Sequence, residues 1–191
     1  MSVSEDYDYN VFVNCPFDFR YQKLFRAVIF TVIDCGFSPR CALELNDSSV
    51  ERLDKIFNMI ADCRLSIHDI SRTQLDSKNR LPRFNMPFEL GMFLGAKRFG
   101  NRKQKSKNCL ILDTEKYRYQ KFISDIGGKD IDAHGNDILK AIRVVRNWLA
   151  AYSKVIIPGA SSIHKKYMDF LSQLPQQCKI VQLVTKKILL L

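Results

Sequence analysis

From residue 9 to about residue 125, hydrophobic and polar positions follow two patterns, short apolar runs and helical spacing. Short apolar runs, rich in β-branched and aromatic residues, predict four strands at residues 9–14, 39–44, 65–70 and 107–113. Apolar residues at three- and four-residue spacing predict helices over residues 21–35, 47–63 and 83–100. Ser48 or Ser49 is expected to cap the second helix. Such alternation is typical of a parallel sheet covered by helices.

The pattern becomes helical after residue 115. Three further segments carry apolar residues at helical spacing, at residues 115–126, 136–152 and 161–174. The tail over residues 178–191 fits either a strand or a helix. The sequence therefore predicts an α/β domain over residues 1–125 and a helical extension over residues 126–191 that packs on it.

Composition indicates a globular chain with its own core. Of the 191 residues, 46% are hydrophobic and 26% are charged, which is unlike a disordered protein. The six cysteines are scattered without a C-x-x-C pair, so neither a disulfide framework nor a zinc or other metal site is predicted. No apolar run approaches the roughly 20 residues of a membrane span, and the acidic, polar start is unlike a secretory signal. We expect a cytoplasmic protein with no membrane partner.

A net charge of +10 favours an anionic partner. The densest basic block, residues 97–107, has six lysines and arginines and no acid. Two interpretations stay open: a solvated connection after a helix, or a patch that binds phosphate. Neither a helix-turn-helix pattern nor an RNA-binding aromatic motif accompanies the block, so nucleic acid is not the expected partner.

Several candidate residues should gather where the parallel strands end, the edge at which such sheets bind ligands. They are Pro16, Asp18, Arg40, Asp69, Ser71, Arg72 and the start of the helix that contains Glu89. Arginine can hold phosphate oxygens in pairs, which would suit a pyrophosphate. Arg40 and Arg72 could equally pair with Glu44, Asp47 or Asp69.

Glu89 stands out because its neighbours are almost all apolar. Pro87 suits the first turn of a helix, Asn85 can cap it, and an acid in that turn gains about 0.3–1 kcal/mol from the helix dipole. The dipole should keep the carboxylate ionised at neutral pH. Gly91 and Gly95 cost about 1 kcal/mol each inside a helix, which indicates either close packing on the sheet or close approach of a ligand.

An ionised carboxylate suits a nucleophile or a cation stabiliser rather than a proton donor. Cleavage of an N-glycosidic bond needs such a group, because the sugar carbon becomes an oxocarbenium-like centre. Nicotinamide leaves NAD as a neutral molecule without a general acid, whereas a neutral nucleoside base usually needs protonation. A site with one ionised glutamate is therefore better matched to NAD.

The segments "IHDIS" and "NMPFELGMFLGAK", with the opening "VFVNCPFD", resemble nucleoside 2-deoxyribosyltransferases and related TIR-like domains over residues 9–113. The resemblance implies a flavodoxin-like, three-layer α/β fold in which Glu89 is the catalytic acid and Asp69 contacts ribose or base. The chain lacks a clear equivalent of the transferases' C-terminal asparagine, which argues against transferase activity. Edge position and resemblance together give the predicted substrate contacts: Cys15, Pro16, Phe17, Asp18, Arg40, Ser71, Arg72, Asn85 and Phe88.

The resulting hypothesis is a nucleotide N-glycosidase that cleaves NAD to ADP-ribose or a cyclic product, with NAD as substrate and no cofactor. The resemblance further implies a homo-oligomer with a defence or signalling role and a protein partner in that system. The alternatives are a non-catalytic module that binds a nucleotide and changes assembly state, a nucleic-acid binder using residues 97–107, and a deoxyribosyltransferase.

Two histidines, His68 and His134, are expected to have structural roles. His68 precedes Asp69 in a strand, so it should point to the opposite face of the sheet as a satisfied, buried histidine. His134, among acids and next to a glycine, is expected to lie in a turn or at a helix cap.

Overall fold

The computed structural model describes residues 7–44, 51–75, 80–127 and 131–180. Its strands are β1 (Asn10–Asn14), β2 (Ser38–Arg40), β3 (Leu65–Asp69), β4 (Asn108–Asp113) and β5 (Ile131–Ala133). Its helices are α1 (Gln22–Asp34), α2 (Arg52–Asp62), α3 (Asn85–Phe99), α4 (Arg102–Lys105), α5 (Ile138–Ala150) and α6 (Ala160–Ile180). Two short 3-10 helices, Arg118–Lys121 and Ser124–Ile126, lie between β4 and β5.

The five strands form one parallel sheet in the order β2-β1-β3-β4-β5. This is the strand order of flavodoxin-like folds, so the predicted three-layer α/β class is confirmed. The order reverses between β1 and β3, and we call the carboxyl ends of these two strands the switch point. Beyond residue 125 the chain is not purely helical, because it supplies β5 to the same sheet.

Strand alternation divides the core between the two faces of the sheet. Leu65 and Ile67 of β3 pack with α1, α5 and α6, whereas Phe12 of β1 packs with α2 and α3. We call these the α1/α5 face and the α2/α3 face. A parallel sheet buried on both faces reads as near-continuous apolar runs, which the strand patterns of this sequence reflect.

Several predicted elements differ in extent. The second strand has three residues instead of six, and the helix predicted over residues 115–126 is two short 3-10 helices. In α2, Glu51 occupies the cap position, while the predicted caps Ser48 and Ser49 lie outside the described residues. The tail is described only to residue 180, the last residue given for α6.

The last helix belongs to the main core. Tyr167 of α6 is completely buried, packs against Phe30 of α1 with ring centroids 5.5 Å apart, and donates its hydroxyl to Lys23 O at 3.0 Å. Within the described ranges, every helix is too short or too polar to cross a bilayer.

Candidate functional site

The switch point brings together the loops after β1 and β3. Arg72 donates to Asp18 Oδ1 at 2.9 Å and thereby joins the two loops across it. Cys15 and Pro16 are buried in the first loop, and Phe17 packs edge-on against Phe25 at 5.4 Å. Predicted contacts from both loops therefore lie together at the edge where parallel sheets bind ligands.

Asp69 ends β3 on the α1/α5 face, where no part of its side chain is exposed. Its Oδ2 accepts the hydroxyl proton of Tyr21 at 2.5 Å, and its Oδ1 accepts the backbone N–H of Ser71 at 2.8 Å. His134 Nε2 lies 3.0 Å from Oδ2, although the contact is not aligned as a hydrogen bond. The dielectric constant is low in a buried site, so a His134 Nε2–H this close to the Asp69 carboxylate is attracted to it even without hydrogen-bond alignment.

These contacts change the interpretation of Asp69 and Cys15. Both oxygens of Asp69 are engaged inside the protein, so the structure favours an anchoring role over the predicted contact with ribose or base. Burial, followed by the charge of Asp69, raises the pKa of the Cys15 thiol and of the Tyr21 hydroxyl well above their ordinary values. Both groups are un-ionised at neutral pH, which excludes a thiolate nucleophile at Cys15.

His134 joins this cluster from the end of β5. Its Nδ1 accepts the backbone N–H of Asn136 at 2.9 Å, so Nε2, which faces Asp69, is assigned as a protonated nitrogen. Gly135 and Asn136 have φ angles of 60° and 58°, which make the predicted turn. The turn was expected, but the contact with Asp69 was not.

Glu89 lies on α3, which begins near the carboxyl edge and packs on the α2/α3 face. Contrary to the prediction, no acid lies in the first turn: Glu89 opens the second turn, and Phe84 occupies the cap position without a side-chain bond. Asn85 is the first helical residue rather than the cap. Glu89 is 5% exposed, and within the described ranges it makes neither a hydrogen bond nor an ion pair.

The expectation that the helix dipole keeps Glu89 ionised is not supported. Burial raises the pKa of Glu89 to about 7, and the charge of Arg52 at the start of α2 opposes this only in part. The dipole's effect fades within the first turn, so burial dominates one turn further in. Both protonation states of Glu89 are therefore populated near neutral pH.

An amide and an imidazole connect β1 and β3 to this part of α3. Asn14 Nδ2 donates to Met86 O at 2.9 Å and lies 3.0 Å from His68 Nδ1. The His68 ring packs edge-on against Phe93 at 5.4 Å. As predicted, His68 is buried on the face opposite Asp69, but it is not fully satisfied, because its Nε2 has no partner in the described structure.

Two glycines of α3 face open space. Apart from the chain neighbours and the backbone of α3 itself, no described atom lies within 4 Å of the position that a Cβ would take on Gly91 or Gly95. Close packing on the sheet, one of the two interpretations considered for them, is therefore wrong. Asn85 and Phe88 lie on the same helix and are exposed, Phe88 by 57%.

Both predicted phosphate-binding arginines have carboxylate partners. Arg40 pairs with Glu44 at 2.8 Å, one of the pairings considered for it. Arg72 pairs with Asp18, a partner that was not anticipated, and keeps a buried Nε without a partner. Arg40 ends the edge strand β2, so it lies farther along the sheet from β3 than Arg72 does.

Arg118 holds the loop after β3 and was not singled out in the sequence. Its guanidinium donates to Thr73 Oγ1 at 2.8 Å, to Ser71 O at 2.9 Å and to Asp113 Oδ1 from Nε at 2.8 Å. Its segment, "RYQK", has no pattern that marks such a role. Only the fold brings the end of β4 beside this loop.

A cavity of about 490 Å³ lies between α3 and α5. It is lined by residues including Leu94, Lys97, Asp132 and Trp148, and by none of the predicted site residues.

One lysine of the basic block at residues 97–107 is not available for a ligand. Lys107 is buried, and its ammonium donates to the carbonyls of Ile60 and Cys63 at the end of α2. Lys107 is therefore a structural residue.

The described residues contain no group of three or more histidine, cysteine or acidic side chains that could hold a metal ion. No family model matches the sequence, and neither a curated protein nor a solved structure proved similar to it.

Proposed function

We propose that the chain is a nucleotide N-glycosidase that cleaves the nicotinamide–ribose bond of NAD, with Glu89 as the catalytic carboxylate. The carrying observation is a carboxyl group near the switch point that is 5% exposed, makes no hydrogen bond or ion pair within the described ranges, and still reaches solvent through its oxygens. Such a group costs stability and is a candidate for a functional role. The resemblance of "NMPFELGMFLGAK" to TIR-like domains and deoxyribosyltransferases supports the same residue.

In the proposed reaction, the bond between C1′ and the nicotinamide nitrogen breaks, and its electron pair neutralises the pyridinium. The ionised Glu89 stabilises the oxocarbenium-like C1′. A water oxygen then bonds to C1′ and releases its proton to solvent, which gives ADP-ribose. Capture by a nucleophile of the same molecule would give a cyclic product instead.

Arg72 is the better placed of the two arginines to meet the pyrophosphate. Its Nη2 is paired with Asp18, while its Nε is a buried donor without a partner in the described structure. Because Asp18 is partly exposed, a phosphate could replace it at modest cost. A homo-oligomeric state, a defence role and a protein partner are included in the proposal on the resemblance alone.

The test is to incubate the full chain with NAD and to quantify nicotinamide and ADP-ribose. We expect Glu89→Gln to lower kcat by about 100-fold or more, because the amide cannot stabilise the cation as a carboxylate does. Glu115→Gln, at an exposed glutamate after β4, is the matched control and should stay within about 2-fold of wild type. Unchanged turnover in Glu89→Gln would refute the proposal, and binding of NAD without turnover would favour the nucleotide-sensing alternative.

The raised pKa of Glu89 favours one second candidate, cleavage or transfer of a neutral nucleoside base. That reaction uses the protonated carboxyl as a general acid. The sign of the pH dependence separates the two: NAD cleavage should rise as pH increases through about 7, whereas acid-assisted departure of a base should fall over the same range. Rates with NAD and with deoxynucleosides, measured from pH 5.5 to 8.5, decide between them.

A further inference from the structure

Asn14 contacts two groups near Glu89: the backbone carbonyl of Met86 and the imidazole ring of His68. It ends β1, is 2% exposed, and offers two N–H protons to two acceptors, Met86 O and His68 Nδ1. Met86 precedes Glu89 by three residues, and Phe93, against which the His68 ring packs, follows it by four. At helical spacing these three positions share one side of α3. The contacts of Asn14 and His68 therefore lie on either side of Glu89 along the helix.

The Asn14 contact also fixes the tautomer of His68. Burial lowers the pKa of His68 to about 3, so the ring is neutral at physiological pH. Because an amide N–H can donate only to an unprotonated ring nitrogen, Nδ1 is the acceptor and the proton is assigned to Nε2. This Nε2–H is a buried donor without a partner in the described structure, on the same face as Glu89.

We propose that Asn14 is a positioning residue of the Glu89 site, which holds the first turn of α3 and the Nε2–H tautomer of His68 through one amide group. It acts through Met86 and His68, and it does not touch the reacting atoms. A catalytic carboxylate must be held within a fraction of an ångström, and a displacement of about 1 Å can cost about 100-fold in rate. This inference rests on the proposed function, because its effect on rate passes through Glu89.

The chain offers a matched control on the same strand. Asn10 is also buried on the α2/α3 face, and its Nδ2 donates to a backbone carbonyl, Asp62 O, at 3.1 Å. That carbonyl ends α2, at the other end of β1 from Asn14. Asn10→Asp and Asn14→Asp therefore remove the same chemical group from the same strand, but only the second lies beside α3.

The first measurement needs no substrate. In the wild-type chain, long-range ¹H–¹⁵N spectra of the His68 ring should show a protonated Nε2 and a bare Nδ1. In Asn14→Asp the new carboxylate can only accept, so the ring proton should move to Nδ1. Asn10→Asp should leave the tautomer unchanged. A wild-type ring protonated on Nδ1, or an unchanged tautomer in Asn14→Asp, would overturn the inference.

The second measurement is steady-state NAD cleavage. We expect Asn14→Asp to lower kcat by about 10- to 100-fold with KM within about 3-fold of wild type, while Asn10→Asp keeps kcat within about 2-fold. Equal losses of kcat in both variants would overturn the inference. If Asn14→Asp does not fold, Asn14→Thr replaces it: one donor instead of two should lower kcat about 10-fold, and an unchanged kcat would contradict the proposed role.

The two measurements separate the inference from the function on which it rests. Suppose that the wild-type chain does not cleave NAD but Asn14→Asp moves the ring proton of His68. This result would refute the glycosidase proposal and support the inference that Asn14 sets the tautomer of His68. NAD cleavage with no change of tautomer would support the glycosidase and refute the role of Asn14.

Discussion

The two faces of the sheet differ in how they treat their buried carboxyl groups. On the α1/α5 face, Asp69 receives the hydroxyl of Tyr21 and the N–H of Ser71, and His134 lies beside it. On the α2/α3 face, Ser66 Oγ and His68 Nε2 are buried without partners in the described structure. Glu89, on the same face, is buried and makes no hydrogen bond or ion pair within the described ranges.

This difference separates a polar group that stabilises the fold from one that is available for chemistry. A buried polar atom without a partner costs about 1–3 kcal/mol, so Ser66 Oγ and His68 Nε2 need a reason, and the Glu89 carboxyl on the same face is largely desolvated. The Asp69 cluster, in which both carboxylate oxygens accept hydrogen bonds, joins the ends of β3 and β5 to the start of α1. We infer that the α1/α5 face holds the loops in place and that the α2/α3 face carries the function.

The largest expected effect comes from Asp69→Leu. The change leaves the Tyr21 hydroxyl and the Ser71 N–H without their acceptor in a buried place, so the free energy of unfolding should fall by about 3–5 kcal/mol. Urea denaturation measures it. A loss below about 1 kcal/mol would mean that the cluster contributes little and that the contrast between the faces is not energetic.

Glu89→Leu should have the opposite sign. Replacing a carboxyl that lacks a partner with an apolar side chain of similar size should raise the free energy of unfolding by about 1–3 kcal/mol while activity is lost. The gain should grow with pH. Because the folded-state pKa is raised from 4.5 to about 7, the folded wild-type chain binds more protons than the unfolded chain in this interval.

Stability of the wild-type chain from this group should therefore fall as pH rises from 4.5 to about 7, by at most about 1.4 kcal/mol per pH unit, and should then level off. Denaturation of both chains at pH 5, 6, 7 and 8 gives the difference. A variant that is less stable than wild type at every pH would show that Glu89 has a stabilising partner after all.

The smallest effect concerns the glycines of α3. With open space around both Cβ positions, Gly91→Ala and Gly95→Ala should each raise the free energy of unfolding by about 0.5–1 kcal/mol through helix propensity. Thermal denaturation suffices for this measurement. If either variant is stabilised but cleaves NAD more slowly, a ligand approaches that glycine closely. This surface of α3 would then belong to the functional site on the α2/α3 face.

The sequence allowed the layered fold to be predicted because strand and helix periodicities are local. Gly36, with a φ angle of 82°, follows the end of α1, a position at which glycine commonly ends a helix. β5 was missed because its three residues, Ile131, Asp132 and Ala133, include an acid and do not form an apolar run. The contact between His134 and Asp69 was missed because it depends on β5 lying beside β4, which is a property of the whole sheet.

The site was predicted in part for a similar reason. Glu89 could be singled out from its apolar neighbours, but its protonation depends on how far packing against α2 excludes water, and no local pattern encodes that. The rule of alternation did place His68 and Asp69 on opposite faces. The sequence analysis placed Asp69 and Glu89 in one site, whereas the structure puts Asp69 on the α1/α5 face and Glu89 on a helix of the α2/α3 face.

The burial of Tyr167 against α1 bears on how the chain tolerates cleavage. The connection between α5 and α6 contains Ile156, which is fully exposed and open to a protease. A cut there would leave the last helix held by its packing alone, and its departure would uncover Phe30 and the carbonyl of Lys23. The nicked protein should therefore migrate as one particle until denaturant separates the fragments, and neither fragment should refold by itself.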